Sequence, residues 1–314
     1  MKSILICLVI LSGMEVLYGQ IITNPGSTRS PRTAEEARRR EFEIRREAMD
    51  RLSRKAGLGR ERSRSTKTPT KEERERIKII ILPDSADLNK YKDFLQQSKT
   101  GIFRLLPDFD CETKYLIHTD GNCADFVPGT WAYSFRRKSY SDADFHDIRF
   151  KDNSLSSNGL LNQSILVSLG DMPMENVSLN SEGVKYLASF KPEVKHEAVK
   201  EQFEQIAKGI EDGNYIYSKK LKVNENNTYA MRLVAYRFED KWLSRFKRSS
   251  PTAEDLKFFM LSGDKRTDFT VAFRIIRKSA DGGITILWKE LERKESPKIV
   301  FQKNEKLTDI KFGN

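Results

Sequence analysis

Cysteine and histidine are scarce in this chain, with three of each among 314 residues. A zinc site needs four ligands at suitable spacing, and Cys111, His118, Asp120 and Cys123 could form only an unusual one. With so few imidazoles, a histidine-driven nucleophilic mechanism has few players. The chain also lacks H-E-x-x-H, G-x-S-x-G, paired C-x-x-C and any glycine-rich phosphate loop, the motifs of common hydrolases, zinc proteases and nucleotide-binding proteins. One partial match remains: Lys99-Thr100-Gly101, with Ser244 and Lys247 at S-x-x-K spacing. It runs in the reverse of the order used by penicillin-recognising enzymes and lacks S-D-N, so it is read as chance. Long apolar runs are missing too. The run at residues 4–11 has eight residues, far short of the about 20 that a membrane-spanning helix needs.

That short run has another meaning. Lys2 precedes it, and small or neutral residues follow it to Gly19. This is the layout of a secretory signal peptide over residues 1–19, and it predicts an exported protein, periplasmic or extracellular. Processing would remove Cys7 and leave Cys111 and Cys123. Two thiols in an oxidising compartment tend to pair, so a Cys111–Cys123 disulfide is expected. Between them lies Asp120-Gly121, a hairpin-turn signal. In a flat hairpin built on that turn, Cys111 would lie beyond His118 by roughly 23 Å at strand rise. A disulfide needs Cα atoms within about 7 Å. The sequence therefore predicts a closed, irregular loop.

Charge is unevenly spread. The net charge is +11, yet residues 21–80 hold 18 Lys and Arg against 10 Asp and Glu, a net of +8. Residues 81–314 hold 37 against 34, a net of +3. After a short stretch expected to be disordered (20–32), "TAEEARRREFEIRREAMDRLSRKAG" predicts a basic helix over 33–56. Thr33 is a suitable N-cap, and acid-to-base pairs such as Glu35–Arg39 and Glu47–Arg51 fall at i,i+4. Its polar composition then predicts a flexible linker over 57–75. The basic segment has no interleaved aromatics for stacking on bases, so nucleic acid is not its expected partner. An anionic membrane surface, an envelope polymer or a protein partner fits better.

From residue 76 to 314 the composition is that of one globular domain. Residues 77–82 (IKIIIL) read as a strand or docking segment, and 86–97 as a short helix. Strand patterns are expected at 130–138, 144–152, 159–171 and 183–190. A helix is expected over 194–211, with Val194, Ala198, Phe203, Ile206, Ala207 and Ile210 on its inner side. Two hairpins should follow, 215–223 with 228–238 across NENN, and 268–278 with 284–291 across SADGG. Residues 297–302 are expected to pair last. The fold class is α+β, a largely antiparallel sheet built from sequential hairpins with one well-defined packed helix.

Candidate chemistry is sparse. On a strand, Asp142, Asp144 and His146 would share one face and could hold a divalent cation. The bland alternative is a polar loop followed by a strand. Trp131, Tyr133 and Phe135 alternate along a strand and would make a stacking platform if exposed, or core if buried. Three N-x-S/T triplets begin at Asn162, Asn176 and Asn226, acceptors only in a glycosylating pathway. No cofactor is expected. The sequence favours a non-catalytic binding protein with a basic arm. The alternative is an exported hydrolase using paired carboxylates on a polymer, which requires a cleft holding a carboxyl of raised pKa.

Overall fold

The computed structural model describes residues 71–111, 121–123, 127, 129–140, 145–157, 159, 161–238, 261, 264 and 266–302. All of them belong to one compact unit, Asp50–Asn314. The signal peptide, the segment at 20–32 and the basic helix at 33–56 lie outside the described residues. So does most of the expected linker.

The core is an antiparallel sheet in the order β1-β12-β11-β10-β6. Its strands are β1 (Thr100–Leu105), β6 (Asn162–Gly170), β10 (Thr228–Ala235), β11 (Thr267–Lys278) and β12 (Ile284–Glu295). β10 is buried at every position because it lies mid-sheet and both faces are covered. One face packs on a second antiparallel sheet, ordered β3-β2-β4-β5-β9. That sheet is made of β2 (Ala132–Ser134), β3 (Ser139–Tyr140), β4 (Ile148–Lys151), β5 (Ser154–Ser156) and β9 (Lys220–Lys222). Phe103, Phe135, Phe150, Leu155, Met231, Phe273 and Trp288 fill the space between the two sheets. The opposite face of the main sheet carries Ile165, Val167, Ala230 and Leu287, and these pack on helices. The architecture is α+β with mostly antiparallel pairing, as the alternating patterns and hairpin signals predict.

Several elements follow directly from local chemistry. The β11–β12 hairpin turns at SADGG, where the Ser279 amide donates to the Gly283 carbonyl at 2.8 Å and Gly282 takes φ +79°. β4 and β5 are joined by Asp152-Asn153, both at positive φ, the backbone of a tight primed turn. The expected helix at 194–211 forms as His196–Lys208 and ends at Gly209 with φ +94°.

Other expectations are corrected. Residues 71–81 are helical, α1 (Lys71–Ile81), so the segment read as a strand at 77–82 is the end of a helix that starts inside the expected linker. Charged, helix-favouring residues at 71–76 initiate it, and they outweigh the β preference of the isoleucines. The helix expected over 86–97 is two, α2 (Ser85–Lys90) and α3 (Lys92–Gln96), broken at Tyr91. The strand expected over 130–138 is confined to β2 and turns back at once into β3.

Residues 183–190 form a helix, α4 (Val184–Ser189), and not a strand. Its end is held from the main sheet. Arg232 of β10 donates to the carbonyls of Leu187 at 2.6 Å and Phe190 at 2.7 Å, while its guanidinium grips both Asp268 carboxylate oxygens. A cation at a helix C-terminus meets the orphan carbonyls and the negative end of the dipole.

The NENN turn joins no hairpin. β9 pairs with β5, and β10 pairs with β11 and β6. Asn226, at φ +61°, instead donates its amide to the Ile275 carbonyl, and the chain crosses between sheets there. Two short strands upstream, β7 (Ile210–Asp212) and β8 (Tyr215–Tyr217), pair only with each other as a sheet. Helix α5 (His196–Lys208) is tied to the C-terminal segment. Val300 accepts from the His196 amide, and Ile299 donates to the Arg237 carbonyl at 2.9 Å. Residues 297–302 thus bridge α5 and the end of β10 through single parallel contacts.

Candidate functional site

The strongest concentration of charge inside the fold is an arginine–aspartate network on the outer side of β2. The network starts in the β2–β3 turn, where Arg136 is placed with its side chain fully buried. Its Nε donates to Asp147 at 2.7 Å and its Nη1 to Asp264 at 2.6 Å. Asp147 also accepts from the Ser134 hydroxyl at 3.0 Å and the Arg136 amide at 2.9 Å. Asp264 accepts further from Arg137 and Arg266, both at 3.2 Å. Arg266 extends the network to backbone, donating to the carbonyls of Tyr236 at 2.9 Å and Leu161 at 2.6 Å. It therefore fastens the end of β10 to the start of β6.

The electrostatics are those of a locked structure. Burial pushes the Asp264 carboxyl up, but the Arg136, Arg266 and Arg137 guanidiniums outweigh it and hold the carboxyl below the usual range. Burial pulls Arg136 down, yet Asp147 and Asp264 together raise it. Arg266 is pushed down to about 9 by burial and by the charge of Arg136, and it stays charged at neutral pH. Buried charge is tolerated when paired and hydrogen-bonded, and both aspartates meet that condition. Asp264 is thus held ionised, and both it and Asp147 are clamped by arginine and shut away from solvent. A general acid needs the opposite, a raised pKa and access to substrate. Among the described residues, every carboxylate whose titration shifts moves downward: Asp264, Asp281 and Glu290.

The aromatic stripe is core. Tyr133 stacks on Phe103 with ring centroids 3.7 Å apart, and Phe135 sits among Phe269, Phe273 and Trp288. Trp131 is buried at 7 % exposure, under the Arg149 guanidinium and edge-on to His146. These three residues therefore present no open stacking platform. Burial first, and then the charges of Tyr140 and Asp147, push the Tyr133 phenol well above its ordinary value.

Of the candidate metal set, His146 is buried at 2 % exposure, and Asp142 and Asp144 lie outside the described residues. Among the described residues, no group of three or more His, Cys, Asp or Glu side chains is placed to hold a metal ion. The Lys99-Thr100-Gly101 match is structural. Thr100 donates its hydroxyl to the Gln97 carbonyl at 2.8 Å, Lys99 pairs with Glu290, and a Cβ at Gly101 would meet the Trp288 indole at 2.6 Å. Ser244 and Lys247 lie outside the described residues. Of the three glycosylation triplets, Asn162 is buried in β6, while Asn176 and Asn226 are exposed.

Cys111 and Cys123 form a disulfide with Cα atoms 5.6 Å apart. Cys123 closes a one-turn 3-10 segment, Gly121–Cys123, so it does not continue a strand. Residues 112–120, most of the loop that the disulfide closes, lie outside the described residues. Nearby, Asp108 pairs with Arg149 and Asp110 with Lys151, tying the approach to Cys111 onto β4.

The sequence patterns do not reveal the arginine–aspartate network. Arg136, Asp147 and Asp264 come from distant stretches, with 128 residues between the first and last. Fold and site together define a disulfide-closed antiparallel α+β domain with a buried ionic core. Comparison with protein-family models, with characterised proteins and with solved structures finds no significant match. No helix among the described residues is long and apolar enough to cross a membrane.

Proposed function

We propose that this is an exported, non-catalytic binding protein: the α+β body is a scaffold, and the basic stretch ahead of it contacts an anionic surface or partner. The observation that carries this reading is how differently charge is used in the two regions. In the body, several arginines are committed to internal partners: Arg136 and Arg266 to Asp264, Arg232 to Asp268, and Arg277 to Asp87. The excess of positive charge lies instead in residues 21–80. A Cys111–Cys123 disulfide and a leader-like start both support an oxidising, exported setting.

Deletion of residues 21–70 spares α1 and the body. The deleted protein should keep its thermal transition and lose retention on a polyanionic column at low salt. Unchanged retention would end the arm reading. The paired-carboxylate hydrolase has less support, because the buried aspartates are already neutralised by arginine.

A further inference from the structure

The outer face of α1 carries apolar side chains that the fold leaves uncovered. Ile79 is 72 % exposed and Leu82, just past the helix end, is 56 % exposed. They fall three residues apart and so share a face with Lys78 and Glu75, which pair with each other at 2.7 Å. The opposite side, with Ile77, Ile80 and Ile81, is partly buried.

The helix is not free to roll and hide them. Arg104 of β1 donates to the Ile80 carbonyl, and the Tyr140 hydroxyl donates to the Ile81 carbonyl at 3.3 Å. Tyr140 is itself tied to the Arg104 carbonyl at 2.5 Å, and Arg104 is paired with Asp281. The body therefore fixes the last turn of α1 with Ile79 and Leu82 pointing outward. Such residues sit directly after the most cationic part of the chain.

That juxtaposition selects among anionic partners. A hydrophilic polyanion satisfies lysine and arginine but gains nothing from isoleucine and leucine. A bilayer with anionic headgroups satisfies both, since cations meet phosphates while apolar side chains enter the headgroup–acyl boundary. We infer that the outer face of α1 is a membrane-contact surface, which inserts Ile79 and Leu82 into an anionic bilayer surface while the preceding basic stretch holds the lipid phosphates. The inference rests on the arm reading above and names its partner.

The test uses the exported chain and its Ile79→Ser/Leu82→Ser variant, both checked for the same thermal transition. Binding is measured to phosphatidylglycerol–phosphatidylcholine vesicles, to pure phosphatidylcholine vesicles and to soluble heparin. The expected result is weaker binding of the variant to anionic vesicles by about tenfold, the scale of two partly buried aliphatic side chains. Binding to heparin should be unchanged, and pure phosphatidylcholine should bind neither protein well. A variant that binds anionic vesicles as tightly as the wild type overturns the insertion and leaves the arm reading standing. A wild type that binds neither anionic vesicles nor heparin overturns both.

Discussion

Replacing Arg136 by methionine gives the sharpest prediction about the body. The side chain is fully buried and serves two carboxylates, Asp147 at 2.7 Å and Asp264 at 2.6 Å. Methionine fills much of the same volume and supplies none of the charge. Asp147 keeps the Ser134 hydroxyl, and Asp264 keeps Arg137 and Arg266, so the aspartates are left underpaired but not bare. Removing one partner of a buried ion pair costs about 3–5 kcal/mol. For a domain of this size that lowers the melting temperature by about 6–20 °C.

The pH dependence separates this cause from simple loss of packing. Asp264 has its carboxyl lowered in the fold. It therefore contributes stability that is present above its unfolded pKa and is lost as pH falls through the folded value. In the variant that lowering shrinks, because the first-named arginine is gone. The gap between variant and wild type should be largest near neutral pH and narrow as the solution is acidified below about pH 4. Urea denaturation of both proteins at neutral and acid pH measures it. A variant within about 1 kcal/mol of wild type at neutral pH, or a gap that does not change with pH, would refute the electrostatic account.

Three other substitutions probe separate joints of the structure. Breaking the disulfide by Cys111→Ser with Cys123→Ser should lower stability by about 2–4 kcal/mol, and a thiol reductant should produce the same shift in a thermal scan of the wild type. Arg232→Met should expose the amides of α4 to hydrogen exchange before those of β10, because the α4 carbonyls lose their donors; equal protection would sink the capping role. Gly101→Ala should cost about 1–3 kcal/mol by overpacking, with a changed Trp288 fluorescence spectrum, since the new methyl would sit 2.6 Å from the indole.

What was legible in the sequence was the chemistry carried by neighbours along the chain. SADGG turns where it should because glycine accepts φ +79° at residue 282, and the apolar spacing at 196–208 is that of an amphipathic helix. The disulfide was legible from compartment and count. What was hidden depends on partners far away in sequence. Residues 183–190 look like a strand, and become a helix whose end is held by Arg232. The run IKIIIL has strong strand preference, and becomes the end of a helix because of what precedes it and because Arg104 and Tyr140 hold its carbonyls. NENN has the composition of a hairpin turn, and instead passes the chain from one sheet to the other. The stripe at Trp131, Tyr133 and Phe135 shows why periodicity cannot separate platform from core. The pattern is the same for both, and only the main sheet packed against it decides.

The central claim is that the basic stretch, and not the body, makes the functional contact. Equilibrium binding to anionic vesicles, compared across ionic strength for the chain from residue 20 onward and for the same chain lacking residues 21–70, tests it most directly. The account predicts tight binding by the longer chain at low salt that weakens steeply as screening increases, and little binding by the shortened chain at any salt. Salt-insensitive binding that survives removal of the basic stretch would contradict it and move the contact onto the folded body.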